Sequence, residues 1–231
     1  MIEAVNLKKN YNGQTVLNIP QLNIPKGQSF GLVGNNGAGK TTFFNLILDL
    51  VFPTTGKIFN NGIQVNKSEE WKKHTSAFID ESFLIGYLKP EEYFYFLGEL
   101  RNVNKKEVDE FIKKYEEFFN DEILGKNKYI RDLSKGNQKK IGLIASLLGA
   151  PKVIILDEPF ANLDPSTQIR LKKILNDLSE DSDVTLLISS HDLGYITKIT
   201  DRIVILHHGE MVKDIQTSPE ILKELVSFFA V

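Results

Sequence analysis

Gly34-Asn35-Asn36-Gly37-Ala38-Gly39-Lys40-Thr41 has the spacing G-x-x-x-x-G-K-[ST], and Ser29-Phe30-Gly31-Leu32-Val33 before it reads as a buried strand. The pattern implies a grip on a nucleoside triphosphate. Glycines belong there because backbone N–H groups must point inward at phosphate oxygens with no Cβ in the way. Lys40 supplies a point charge for the β- and γ-phosphates, and the Thr41 hydroxyl is placed to hold Mg²⁺. From Thr42 onward the segment Thr42-Phe43-Phe44-Asn45-Leu46-Ile47-Leu48 is apolar enough to be a packed helix whose N-terminal dipole faces the anion. Kinases, GTPases and motor ATPases share this loop, so it does not choose among them.

Val153-Ile154-Ile155-Leu156-Asp157-Glu158 is an apolar run ending in two adjacent acids, as expected of a central parallel strand delivering carboxylates to its C-terminal edge. Neighbouring side chains on a strand face opposite ways, so the acids divide the work. Asp157 suits Mg²⁺; Glu158 suits orienting and polarising a water. Between the two motifs, Leu133-Ser134-Lys135-Gly136-Asn137-Gln138 precedes the apolar-periodic Ile141 to Leu148. Ser134 reads as a helix N-cap and Gly136 leaves N–H groups open, giving a second helix N-terminus able to receive phosphate.

The order of phosphate loop, L-S-x-G segment and apolar strand with Asp-Glu resembles the ATP-binding cassette (ABC) ATPases, over nearly the whole chain. The resemblance implies an α/β fold: a P-loop NTPase, RecA-like core with an N-terminal antiparallel β region and an inserted α-helical subdomain. It divides the chain into a core at 1–79 and 149–231 and a helical subdomain at 80–148 carrying the signature Leu133 to Asn137. It implies further roles. Tyr11 would stack on adenine, Ala161-Asn162-Leu163-Asp164 would be the D-loop, and His191, after the apolar run Val184 to Ser190, would be the switch histidine.

Two positions depart from the family pattern. Asp80 stands where a glutamine is usual, with Glu81 beside it as the alternative in a register one residue on. Aspartate is still a hard oxygen ligand for Mg²⁺ but is shorter and adds negative charge near the γ-phosphate, so ATP binding is expected to depend more strongly on Mg²⁺. Asn137 replaces the glutamine that usually ends the signature; Ser134 and Gly136 are retained, so a competent site is expected.

The function implied is that of an ATPase subunit. Two copies, identical or related, would sandwich ATP and Mg²⁺ and power a separate transmembrane permease, with stand-alone exporter subunits the most similar. An ATP-gated interaction protein that acts on a membrane partner without moving a solute is the alternative. With 28 basic and 30 acidic residues the net charge is −2, so no global field points to nucleic acid or an anionic membrane. The lysine pairs, Lys139-Lys140 among them, read as solvated helix faces. Zero cysteines excludes a disulfide framework or thiol-ligated metal. The start resembles no signal peptide and no apolar run approaches ~18 residues, so a cytoplasmic chain held to the membrane's inner face by its permease is expected.

The first ~79 residues read as short strands joined at Asn12-Gly13, Pro25-Lys26-Gly27 and Asn61-Gly62, followed by helices at Pro90 to Leu100 and Lys106 to Phe119. Four consecutive aromatics, Tyr93 to Phe96, cover more than one helix face, so part of the cluster they form with Phe83 and Tyr87 is expected in a partner groove. Ser218-Pro219-Glu220 reads as the start of a last helix packed on the core, leaving no room for a regulatory domain.

Overall fold

The computed structural model describes residues 1–218 and Leu225. The expected C-terminal helix lies outside the described residues except for Leu225, which is buried in the core. Among the described residues, the strands form one sheet.

Two long strands, β1 (Ile2–Tyr11) and β2 (Gln14–Ile24), pair antiparallel across Asn12-Gly13, and β1 also pairs antiparallel with β4 (Thr55–Asn60), which Asn61-Gly62 joins to β5 (Ile63–Gln64). Both dipeptides have positive φ at each residue, as the two-residue hairpins that follow the strand twist require. At 10 and 11 residues β1 and β2 are longer than the short strands expected; alternating burial keeps one face of each on the core.

The other half of the sheet is parallel. β3 (Ser29–Val33) lies between β9 (Arg202–His207) and β8 (Thr185–Ser190); β7 (Val153–Leu156) and β6 (Thr75–Phe78) follow on the β8 side. β10 (Glu210–Gln216) pairs antiparallel with β9 and joins the halves through its contact with β2. Every residue of β3, β7 and β8 is buried, as expected of parallel strands covered on both faces. Alternation sorts their side chains into two cores. Phe30, Leu32, Val153, Ile155 and Leu187 pack with β1, β2 and α1 (Lys40–Ile47), whereas Ile154, Leu156, Leu186 and Ile188 pack toward the helices.

Between β6 and β7 the chain forms α2 (Pro90–Leu100), α3 (Lys105–Lys114), α4 (Glu116–Phe119) and α5 (Lys135–Ala145). The 106–119 pattern is two helices, because the chain turns at Tyr115, the C-cap of α3. Phe94 meets Phe119 edge-on at 6.0 Å in the centre of this group. α5 is buried from Gln138 to Ala145, wedged between the helices and the sheet. After β7 come α6 (Pro165–Ser179) and, beyond β8, the short α7 (Leu193–Ile196).

Candidate functional site

The parallel register sets the C-terminal ends of β3, β8 and β7 side by side: Val33 pairs with Ser190, and Leu156 with Ile188. Three segments therefore leave one sheet edge together, namely the phosphate loop after β3, Asp157-Glu158 after β7 and His191 after β8. That edge is where open α/β sheets bind ligands.

Gly34 ends β3 against β9: a Cβ there would sit 2.5 Å from the Leu206 carbonyl oxygen and 2.9 Å from Ala38 Cβ. Gly39 begins α1 at φ 105°, a conformation side chains resist. No acid occupies the first turn of α1, so its N–H groups and dipole are left for an anion. Lys40 is 6 % exposed, and its Nζ donates to the Gly34 carbonyl at 2.6 Å. Residues 35–42 with Tyr11, Val16 and Glu158 line a cleft of about 310 Å³. Tyr11 is half-exposed at its rim, with Lys9 Nζ 4.6 Å from its ring centre.

The two acids diverge, though both lie just past the end of β7 and the left-handed turn at Glu158, not strand alternation, separates them. Asp157 is buried and accepts from Thr41 Oγ1 at 2.5 Å and from the Ser189 hydroxyl. Burial pushes its carboxyl above the ordinary range, while those two hydroxyls pull it back. Glu158 holds a left-handed backbone, φ 45°, and spans two partners. Its Oε1 lies 3.1 Å from Lys40 Nζ, and its Oε2 lies 2.8 Å from His191 Nδ1 and accepts from the His191 N–H at 3.3 Å.

A second cavity of about 300 Å³ adjoins the first, with Thr41, Asp80, Glu81, Lys139, Asp157, Glu158 and the D-loop residues Ala161 and Asn162 in its lining. Asp80 caps a 3-10 turn at Glu81–Phe83, its Oδ1 accepting from the Ser82 N–H at 2.6 Å. Asp80 and Glu81 both reach this cavity. Among the described residues no three His, Cys, Asp or Glu side chains converge as a complete metal cage. The oxygens of Thr41, Asp157 and Asp80 beside a phosphate loop nevertheless fit Mg²⁺, which keeps waters and takes a few protein oxygens together with substrate phosphates.

The sheet edge thus brings together Tyr11, Gly34 to Thr42, Asp80, Asp157, Glu158 and His191. It does not bring Ser134, Gly136 or Asp164 to either cavity. Ser134 is exposed and caps α5, accepting from the Asn137 N–H at 3.2 Å. Asp164 caps α6 through Ser166 and Thr167.

One residue of the site, Ser189, carried no role in the sequence reading, and two others, Lys139 and Lys140, were misplaced by it. Ser189 donates to Asp157 and accepts from the Glu158 N–H at 2.9 Å. No local signal marks it, since only the β7–β8 pairing sets it opposite the acids. Lys139 and Lys140, expected on a solvated face, are 5 % and 3 % exposed. Lys139 Nζ donates to the Glu158 carbonyl at 2.8 Å; Lys140 Nζ lies 3.4 Å from Glu122 and 3.9 Å from Asp164. The signal was present: the apolar stretch after them leaves α5 no solvent face.

The ABC transporter family model matches residues 17–161. The bacitracin transport ATP-binding protein BcrA of Enterococcus faecalis is 35 % identical over 228 residues, covering 94 % of this chain and 70 % of that protein. The lantibiotic transport ATP-binding protein SrtF of Streptococcus pyogenes is 29 % identical, covering 92 % of this chain and 89 % of that one. In fold, the chain is similar to the dimeric cassette MJ0796 in a post-hydrolysis state bound to ADP and Pi, with a TM-score of 0.83, 23 % identity and coverage of 94 % and 99 %. With the phosphate loop, the acid pair and the histidine on one sheet edge, the chain belongs to the ABC transporter family, as an ATP-binding ATPase cassette.

Proposed function

We propose that this chain is the motor subunit of an exporter, working as two cassettes beside a separate membrane permease. The observation that carries the reading is the Glu158 carboxylate, held between Lys40 of the phosphate loop and His191. A carboxylate so placed can orient a water toward the terminal phosphate bound by that loop.

Tyr11 stacks on adenine, while the N–H groups of 34–42 and Lys40 hold the phosphates. Glu158 orients and polarises the water, and His191 keeps that carboxylate in place and reaches the γ-phosphate. The water oxygen bonds to the γ-phosphorus as the bridge to the β-phosphate breaks, and the water proton passes toward Glu158. Thr41, Asp157 and Asp80 would hold Mg²⁺, which neutralises phosphate charge when bound. Ser134, Gly136 and Asp164, which do not line their own copy's cavities, would meet the nucleotide of the second copy, so closure completes each site.

Export is favoured by the bacitracin and lantibiotic transport names of the relatives. Among the described residues no helix is long and apolar enough to cross a membrane, which agrees with a separate permease placing the cassette at the membrane's inner face. A groove of about 330 Å³ between the sheet and the helices, with Leu50, Phe83, Leu84 and Tyr93 in its lining, offers the apolar seat. Phosphate release and light scattering on the parent and Glu158→Gln with Mg²⁺ test the reading. The parent is expected to turn over ATP, and the variant to lose turnover and remain an ATP-bound dimer. A parent that binds ATP but neither hydrolyses it nor dimerises would overturn the motor reading.

A further inference from the structure

Lys139 is a buried ammonium in a cavity whose lining also holds four acids, Asp80, Glu81, Asp157 and Glu158, beside Thr41, Ile79, Ala161 and Asn162. It reaches there from α5, the helix whose first turn bears Gly136 and whose N-cap is Ser134, and its Nζ donates to the main-chain carbonyl of Glu158 at 2.8 Å. That bond falls on a residue with a left-handed backbone, φ 45°, which a non-glycine residue adopts only when its surroundings hold it. From the other side, Ser189 Oγ accepts the Glu158 N–H at 2.9 Å. The peptide units flanking Glu158 are thus pinned at both ends, leaving its carboxylate directed at Lys40 and His191.

We infer that Lys139 is a positioning residue for hydrolysis: from the signature helix it fixes the backbone that aims Glu158, and its charge offsets Asp80, Glu81, Asp157 and Glu158 around the metal cavity. The inference rests on the ATPase reading of this site. Two consequences separate it from simple core filling. Loss of the bond frees the Glu158 main chain and lowers turnover without weakening the grip of the phosphate loop on ATP. Loss of the charge leaves the carboxylates less compensated, so a divalent cation binds them more tightly. Burial pushes the ammonium pKa down, and the carboxylates of Glu81, Glu158 and Asp157 act against that fall.

The test uses the purified chain and its Lys139→Met, Lys139→Gln and Lys139→Arg variants. Steady-state ATP turnover is measured, with a Mg²⁺ titration of fluorescent ATP-analogue binding and a thermal melt for each. Lys139→Met is expected to lower kcat by about tenfold with KM for ATP within about twofold, and to lower the half-saturating Mg²⁺ by about threefold. Lys139→Arg, which keeps donor and charge, stays near the parent in both. Lys139→Gln, which keeps a donor without the charge, retains the lowered Mg²⁺ midpoint and carries the test if the methionine variant melts early. A methionine variant equal to the parent, or arginine and methionine variants that fall together, would overturn the inference. A parent that fails to bind the analogue or release phosphate would instead count against the ATPase reading.

Discussion

Asp157 and Glu158 are adjacent in sequence yet point to different partners, and that divergence organises the site. The apolar run before them made both legible as acids delivered to the end of a buried strand, but the left-handed turn at Glu158 that parts them was not. Their partner Ser189 was not legible, since it enters only through the pairing of β7 with β8. Ser189→Ala strips a donor from buried Asp157 and an acceptor from the Glu158 N–H, so urea unfolding should show a loss of about 1–3 kcal/mol, the cost of an orphaned buried group. Turnover should fall as well; a variant as stable and active as the parent would show that water replaces the hydroxyl. Thr41→Val removes the hydroxyl that faces Asp157 while keeping the shape of the side chain. Its half-saturating Mg²⁺ in analogue binding should rise at least about tenfold, the scale on which even outer-shell partners of a metal matter. An unchanged midpoint would remove Thr41 from the metal site.

Helices α5 and α6 show what an element needs beyond propensity. Asp164 was expected in a D-loop and is also the N-cap of α6. Hydrogen bonds from the Ser166 and Thr167 hydroxyls, then from the Thr167 N–H, hold its carboxyl well below the ordinary value of 3.8. The folded pKa lies under the unfolded one, so the stabilisation is complete above the unfolded value and is lost as pH falls through the folded one. Urea midpoints taken from pH ~5 down to ~3 should therefore drop less steeply for Asp164→Asn than for the parent, and equal slopes would refute this. At neutral pH Asp164→Ala should cost about 1 kcal/mol, as loss of a cap does. On α5, Gly142 is where the helix meets the sheet: an added Cβ would lie 2.0 Å from the Phe78 ring. Gly142→Ala should destabilise by about 1–3 kcal/mol in the same assay, as overpacking does, whereas a neutral result would mean that Phe78 has room to turn. The periodicity of 141–148 made α5 legible; that it would be wedged and carry two buried lysines followed from its apolar faces but needed the neighbouring helices to be certain.

Across the whole molecule, the groove between sheet and helices joins residues distant in sequence, from Leu48 to Ser146. The aromatic run divides by exposure: Tyr93 and Phe94 are buried, Tyr95 is half-buried with its hydroxyl on Asp109, and Phe96 is exposed, as are Phe83 and Tyr87; Tyr93 and Phe83 line the groove. The core thus takes two of the four consecutive aromatics, and the exposed members remain for a partner. Phe83→Ser with Tyr87→Ser should weaken co-purification with the permease by about tenfold or more, since anchors of this kind dominate interfaces, and leave ATP-analogue affinity unchanged. Loss of folding or of nucleotide binding would instead assign both rings to the cassette's own packing. The chemistry-bearing residues of the phosphate loop, the acid pair and the helix caps were determined by local sequence, because backbone conformation, strand alternation and capping act over a few residues. Tertiary structure alone decided that these segments leave one sheet edge, that Ser189 and Lys139 pin Glu158 from two sides, and that Ser134, Gly136 and Asp164 do not line their own copy's cavities. Those facts depend on which strands pair and which faces pack, and contacts between segments as far apart in the chain as Val33 and Ser190 leave no periodic trace in either segment alone.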